Sequence, residues 1–217
     1  MKKEIVAGTL CLFTLWLSGC GSTPPKPATE ARAADATQLS PAQLLQQAMA
    51  APSPMRERMM LDAAERYAET GETEQARFVI QQLTPMLSFM TTAEQSRLAQ
   101  LGLQIELQRG QPEDALFWAD HLSQLPLNQG SLGEQSALLR KLAEVYTLTD
   151  QHLAAARILS RLAGLEDLDS LAPLAQRIWQ QLNAVPAASL EQALAEEADT
   201  TSEWYGWLEL AMGQKQA

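Results

Sequence analysis

The stretch Ala64–Leu83, AERYAETGETEQARFVIQQL, decides the fold. Ala64 and Tyr67 lie three residues apart, a helical spacing, and Gly71 then interrupts the pattern where a left-handed helix end wants glycine. Ala76, Ile80 and Leu83 resume it at i, i+4 and i+7. The same order recurs twice downstream. Leu103, Glu106, Gly110, Ala115, Ala119 and Leu122 form the second copy, and Ala143, Tyr146, Asp150, Ala155, Leu159 and Leu162 the third. The turn position advances by 39 residues and then by 40, and each turn residue precedes a small alanine by five.

The spacing resembles the tetratricopeptide pattern with slightly lengthened linkers, so the expected fold is all-α, a tetratricopeptide-like helical-repeat solenoid. Alanine at the recurring positions lets the second helix of a pair lie close to the first, and the tyrosines fill the space between pairs. Glu106 departs from the aromatic position and Asp150 from the glycine. No stretch after Ser40 alternates with the two-residue period of a strand. Helix starts are marked by Ser40-Pro41-Ala42-Gln43, by Ser53-Pro54 and by Thr92 with Gln95. A fourth helical segment runs over Leu171–Leu182. Ser189 is expected to cap a short helix through Glu197, and Thr201 or Ser202 a last one through Met212. That last helix carries Trp204, Tyr205, Trp207, Leu208 and Leu210, too apolar for the polar cap of a finished solenoid. Either it folds back on the repeats or the chain is the front of something longer.

The N-terminus reads differently. Met1-Lys2-Lys3 precedes an apolar run from Ile5 to Leu17, too short to span a bilayer and suited to a secretory signal. The run ends in Leu17-Ser18-Gly19-Cys20, which resembles a bacterial lipobox. Residues 1–19 are therefore expected to be a lipoprotein signal peptide, and Cys20 the lipid attachment point. Several acyl chains, at ~0.8 kcal/mol per buried methylene, give a stable anchor. Residues 20–39 then form a lipidated flexible tether and residues 40–217 the helical-repeat domain. Gly21 and Ser22 follow the cysteine with no aspartate. By resemblance to bacterial lipoproteins this implies the outer membrane, with the protein facing the periplasm.

Composition narrows the chemistry. The 217 residues carry a formal charge of -10, which opposes binding to nucleic-acid phosphates or anionic head groups. Cys11 and Cys20 are the sole cysteines, so the body has neither a disulfide framework nor a thiolate metal site. His121 and His152 fall in no metal-binding spacing, and no nucleophile elbow, phosphate loop or dinucleotide fingerprint occurs. No catalytic residue, metal or cofactor is expected, and the chain reads as a binding protein rather than an enzyme. In tetratricopeptide-like arrays the first helix of each pair lines the concave face. Counting back from the turns places Arg58 and Glu65, Arg97 and Gln104, and Arg140 and Glu144 along it, as candidates to clamp carboxylates of a partner.

Two further segments, Ile178-Trp179-Gln180-Gln181-Leu182 and Gly206-Trp207-Leu208-Glu209-Leu210, resemble the W-x-x-L and G-W-L-x-L segments of one family. With the lipobox, tether and repeats, the mature chain is similar to the N-terminal domain of the LpoA family, outer-membrane lipoprotein activators of class A penicillin-binding proteins. The resemblance implies a regulator of peptidoglycan synthesis whose partner is such a synthase, with peptidoglycan as a second candidate contact. Family members continue into a second domain resembling periplasmic binding proteins, and nothing in residues 1–217 corresponds to it. The competing expectation is a tetratricopeptide-like scaffold or pilotin for outer-membrane or secretion-system assembly.

Overall fold

Three helix pairs, each turned by a residue in the left-handed region, form the body of the computed structural model, which describes residues 39–126 and 130–216. The signal segment, Cys20 and the tether lie outside the described residues. An entry helix α1 (Pro41–Ala50) precedes the pairs α2 (Met55–Glu69) with α3 (Thr73–Leu83), α4 (Thr92–Gln108) with α5 (Pro112–Gln124), and α6 (Leu132–Leu148) with α7 (His152–Ala163). A 3-10 segment, Thr84–Phe89, joins the first pair to the second. Then follow α8 (Leu168–Ala184), α9 (Ala187–Glu196) and α10 (Glu203–Gln216). The described residues contain no strand.

Each turn closes identically. Gly71 has φ +79, Gly110 φ +68 and Asp150 φ +55. The residue after the turn donates its N–H back to the helix: Glu72 to the Tyr67 carbonyl (2.8 Å), Gln111 to Glu106 (2.9 Å) and Gln151 to Tyr146 (2.8 Å). The turn residue donates to the next carbonyl along, completing a Schellman motif three times. Asp150, which departs from glycine in sequence, thus takes glycine's conformation, because aspartate tolerates the left-handed region better than most residues. The alanines five residues on, Ala76, Ala115 and Ala155, are all fully buried.

Helix starts differ from expectation in three places; in α9 the cap residue is Pro186, which carries no side-chain cap, and Ser189 lies inside the helix, which ends at Glu196. The cap of α4 is Thr91 with Glu94 rather than Thr92 with Gln95. Thr91 has extended backbone, its hydroxyl accepts the Glu94 N–H (3.3 Å), and the Glu94 carboxylate accepts the Thr91 N–H (2.9 Å). A carboxylate is the stronger acceptor at a helix N-terminus. Gln95 instead donates to the carbonyls of Leu87 and Met90, tying the 3-10 segment to α4. At α2 the cap position is Pro54 itself, with no side-chain cap, and Ser53 lies outside it. The expected Ser40 box stands, with Gln43 as its return partner.

The closing helix folds back on the repeats. Trp204, Leu208 and Ala211 are buried against α7, α8 and α9, while Leu210 faces out. The Lys215 ammonium donates to the Asn183 carbonyl at the end of α8 (2.8 Å), and Ser202 caps the helix through the Tyr205 N–H. Ile178 and Leu182 of α8 are fully buried between α7 and this closing layer.

Candidate functional site

A cleft of about 330 Å³ opens on the side lined by the first helices of the pairs. Its polar rim is Glu65 of α2, Arg97 and Gln104 of α4, and Glu134 and Lys141 of α6, above a floor that includes Leu103 and Leu138. A contiguous hollow of about 340 Å³ shares Arg97, Gln100, Glu134 and Leu138 and runs toward Gly130.

The electrostatics are organised around Arg97. Its guanidinium donates to both oxygens of Glu65 and to Asp62 (2.8 Å), bridging the second pair to the first. Glu65 above all, then Asp62, holds the Arg97 proton more tightly than usual. The Glu134 carboxylate accepts the Ser131 N–H (2.7 Å) and hydroxyl, which push its pKa down. Lys141 makes no ion pair with any described residue and projects exposed at the rim. The cleft therefore offers one free cation, one internally braced cation, amide groups on Gln100 and Gln104, and an apolar floor. Such a set can grip a polypeptide by charge and hydrogen bond while burying small apolar groups.

The structure gathers Glu65, Arg97 and Gln104 of the sequence-derived set and places the others elsewhere. Arg58 pairs with Glu94 (2.6 Å) at the start of the α2–α4 seam. Arg140 reaches Glu166 beyond α7 (2.5 Å), and Glu144 is exposed outside the cleft lining. Register explains Arg140. Arg58 and Arg97 stand 13 residues before their turns, whereas Arg140 stands 10 before Asp150. Three residues turn a helix by roughly 300°, so Arg140 points about 60° off the line of the other two. The equivalent position is Ala137, which does line the cleft, beside Lys141. Aligning all three turns at a fixed offset of 13 finds Ala137, whereas Lys141 stands nine residues before its turn.

Glu106 is the other residue whose role was hidden. Where the other pairs place tyrosine, its buried carboxylate accepts from Arg77 of α3 (3.0 Å) and Arg109 (2.6 Å). Arg109 also reaches Glu74 (3.1 Å), so an ion network replaces aromatic packing between the first two pairs. Tyr146 holds the same place in the third pair; its hydroxyl donates to Asp120 (3.0 Å), and burial pushes its pKa up to about 12.

A larger hollow, about 670 Å³, lies among α5, α7 and the α9–α10 layer. Arg157 pairs there with Glu197 (3.1 Å) and the Tyr146 hydroxyl donates to Asp120, while Arg161, its pKa lowered by burial and by neighbouring Arg157, makes no ion pair with a described residue. Neither histidine lies in a metal-binding cluster, and the described residues contain no group of three or more potential metal ligands. His152 Nδ1 lies 2.8 Å from the Gln181 amide oxygen, joining α7 to α8. No helix among the described residues is long and apolar enough to cross a membrane.

Fold and cleft together define a tetratricopeptide-like helical-repeat protein with a polar groove on its first-helix face. The chain belongs to the family described as "LppC putative lipoprotein", whose model matches residues 34–217. Among solved structures, the amino-terminal domain of E. coli LpoA is similar over 89% of this chain and 82% of that one, at 18% sequence identity and a TM-score of 0.41. No curated protein matches the chain significantly.

Proposed function

We propose that this protein is an outer-membrane lipoprotein, facing the periplasm, that binds and activates a class A penicillin-binding protein and so regulates peptidoglycan synthesis. In this reading residues 1–19 are removed as a signal peptide, Cys20 carries the lipid, and residues 20–39 tether the helical domain of residues 40–217. The domain acts through contacts and catalyses nothing itself. The observation that carries the reading is the first-helix cleft, where Arg97 is braced by Glu65 and Asp62 while Lys141 stays unpaired above an apolar floor. A fixed cation beside a free one suits carboxylate-bearing segments, whether of a partner protein or of peptidoglycan stem peptides. Membership of the LppC family supports the lipoprotein anchor.

The test is capture from detergent-solubilised envelopes with the full chain as bait. Enrichment of a class A penicillin-binding protein is expected. Enrichment of secretin or outer-membrane assembly components without any synthase would replace the reading with an assembly scaffold or pilotin.

A further inference from the structure

A further pocket, distinct from the cleft and from both hollows, lies at the N-terminal end of the α2–α4 seam. It holds about 260 Å³ and is lined by Pro54 and Glu57 of the α2 start, Met86, Phe89 and Met90 of the connecting segment, and Glu94 of α4. That is several times the ~30 Å³ one water occupies in the liquid, so a single water does not fill it. Phe89 stands at its edge 81% exposed, a large aromatic surface left uncovered.

Glu57 makes this pocket unusual. It is only 7% exposed, yet its Oε2 is buried without a hydrogen-bond partner. The cause is local. Glu57 is the third residue of α2, the place from which Glu94 in α4 and Glu134 in α6 reach back to the N–H of their cap residue. In α2 the cap residue is Pro54, which has neither N–H nor hydroxyl. The carboxylate has therefore lost its ordinary partner, and Glu57 lines a pocket together with Met86, Phe89 and Met90. Glu94 cannot share a cation there freely, because Thr91 and Arg58 already occupy its carboxylate. A buried carboxylate with no partner is costly, and a cation is the group that removes the cost.

We infer that this pocket receives a lysine side chain presented by a protein partner. The methionines and Pro54 pack against its aliphatic stem, Phe89 lies over the stem and ammonium as a cation–π surface, and Glu57 accepts the charge. Lysine fits better than arginine because a guanidinium brings five donors into a pocket whose walls offer few acceptors, whereas an ammonium brings three. The inference rests on the protein-binding reading above, and it adds an anchor of opposite charge preference to the cleft.

The experiment labels the methionine methyl groups of the full chain with carbon-13 and titrates Nα-acetyl-lysine N-methylamide, with the norleucine analogue as its uncharged counterpart. The Met86 and Met90 methyl resonances are expected to shift saturably with the lysine derivative and at least tenfold more weakly with norleucine. Glu57→Gln is expected to weaken the lysine response at least tenfold. Phe89→Ala, which removes an exposed side chain and leaves the core intact, is expected to weaken it severalfold. Equal responses to the two probes, no response at Met86 and Met90, or an undiminished response in Glu57→Gln would each overturn the inference. A chain that captures its synthase while these methyl groups ignore lysine loses the pocket and keeps the proposed function. A chain that binds lysine here but captures no synthase keeps the pocket and loses the named partner.

Discussion

Replacing Gly102 with alanine tests how the second helix pair is held together. Gly102 lies in α4 directly beneath the Trp118 indole of α5. A Cβ there would sit 2.4 Å from Trp118 Cε2 and 2.6 Å from Cδ2 and Nε1. Carbon atoms in good contact lie about 3.5–4.0 Å apart, so the ring must retreat by roughly 1 Å. Trp118 is 6% exposed and packs in the main core, which leaves it little room to do so. Overpacking of this kind costs about 1–3 kcal/mol, and a displacement this large belongs at the upper end. Alanine regains about 1 kcal/mol of helix propensity over glycine, leaving a net loss of about 2 kcal/mol. For a chain of this length that lowers Tm by roughly 4–8 °C in calorimetry. Gly206→Ala, in α10 with nothing within 4 Å of the new Cβ, receives the same propensity gain without the clash and should raise Tm. Adding Trp118→Leu to Gly102→Ala should recover part of the loss, showing strong non-additivity. A Gly102→Ala protein as stable as the parent, or one whose loss simply adds to that of Trp118→Leu, would refute the packing argument.

Three other perturbations follow from the interfaces between pairs and from the turn of the third pair. Glu106→Gln leaves Arg77 and Arg109 without their buried anion and should cost about 3 kcal/mol in urea unfolding, whereas Glu74→Gln, at the exposed edge of the same network, should cost little. Asp150→Gly relieves a non-glycine residue at φ +55 and should stabilise by roughly 0.5–1 kcal/mol, while Asp150→Val should destabilise. Glu94 is held at about 2 by the Thr91 hydroxyl and N–H and by Arg58, below its ordinary 4.5. Its folded pKa is depressed, so its contribution is complete above pH 4.5 and fades as pH falls through 2. Glu94→Gln should therefore lose stability at neutral pH and show a flatter acid-unfolding profile between those values.

Much of the repeat architecture was legible because it rests on backbone rules that leave marks in sequence. Gly71 and Gly110 announce left-handed turns, Asp150 holds the third turn position by spacing alone, and alanines five residues on announce close helix crossings; the structure has both features in all three pairs. The direction of the closing helix was not legible. Trp204, Leu208 and Ala211 share a stripe, but only tertiary contact shows that α7 and α8 receive it. Caps slipped by one residue at Thr91 because threonine, glutamate and glutamine permit either register until the preceding 3-10 segment claims Gln95. The site was half legible. Arg97 and Glu65 follow from counting back from the turns, yet Arg140 matched them in residue type and missed them in register. Lys141 stands nine residues before its turn rather than 13, so counting back as for Arg97 does not reach it, although it lines the cleft. Glu57 was hidden for a different reason: an acid near a helix start looks ordinary, and only its burial beside Pro54 reveals a carboxylate without a partner.

The most direct test of the central claim is a binding titration of a purified class A penicillin-binding protein onto the immobilised full chain, with the Lys141→Glu/Gln104→Glu variant in parallel. Both side chains face the cleft and neither belongs to the buried core, so the helical circular dichroism should be unchanged. The account predicts saturable binding to the parent chain and at least tenfold weaker binding to the variant. Equal binding by parent and variant would remove the cleft from the interface, and no binding to either would contradict the proposed function itself.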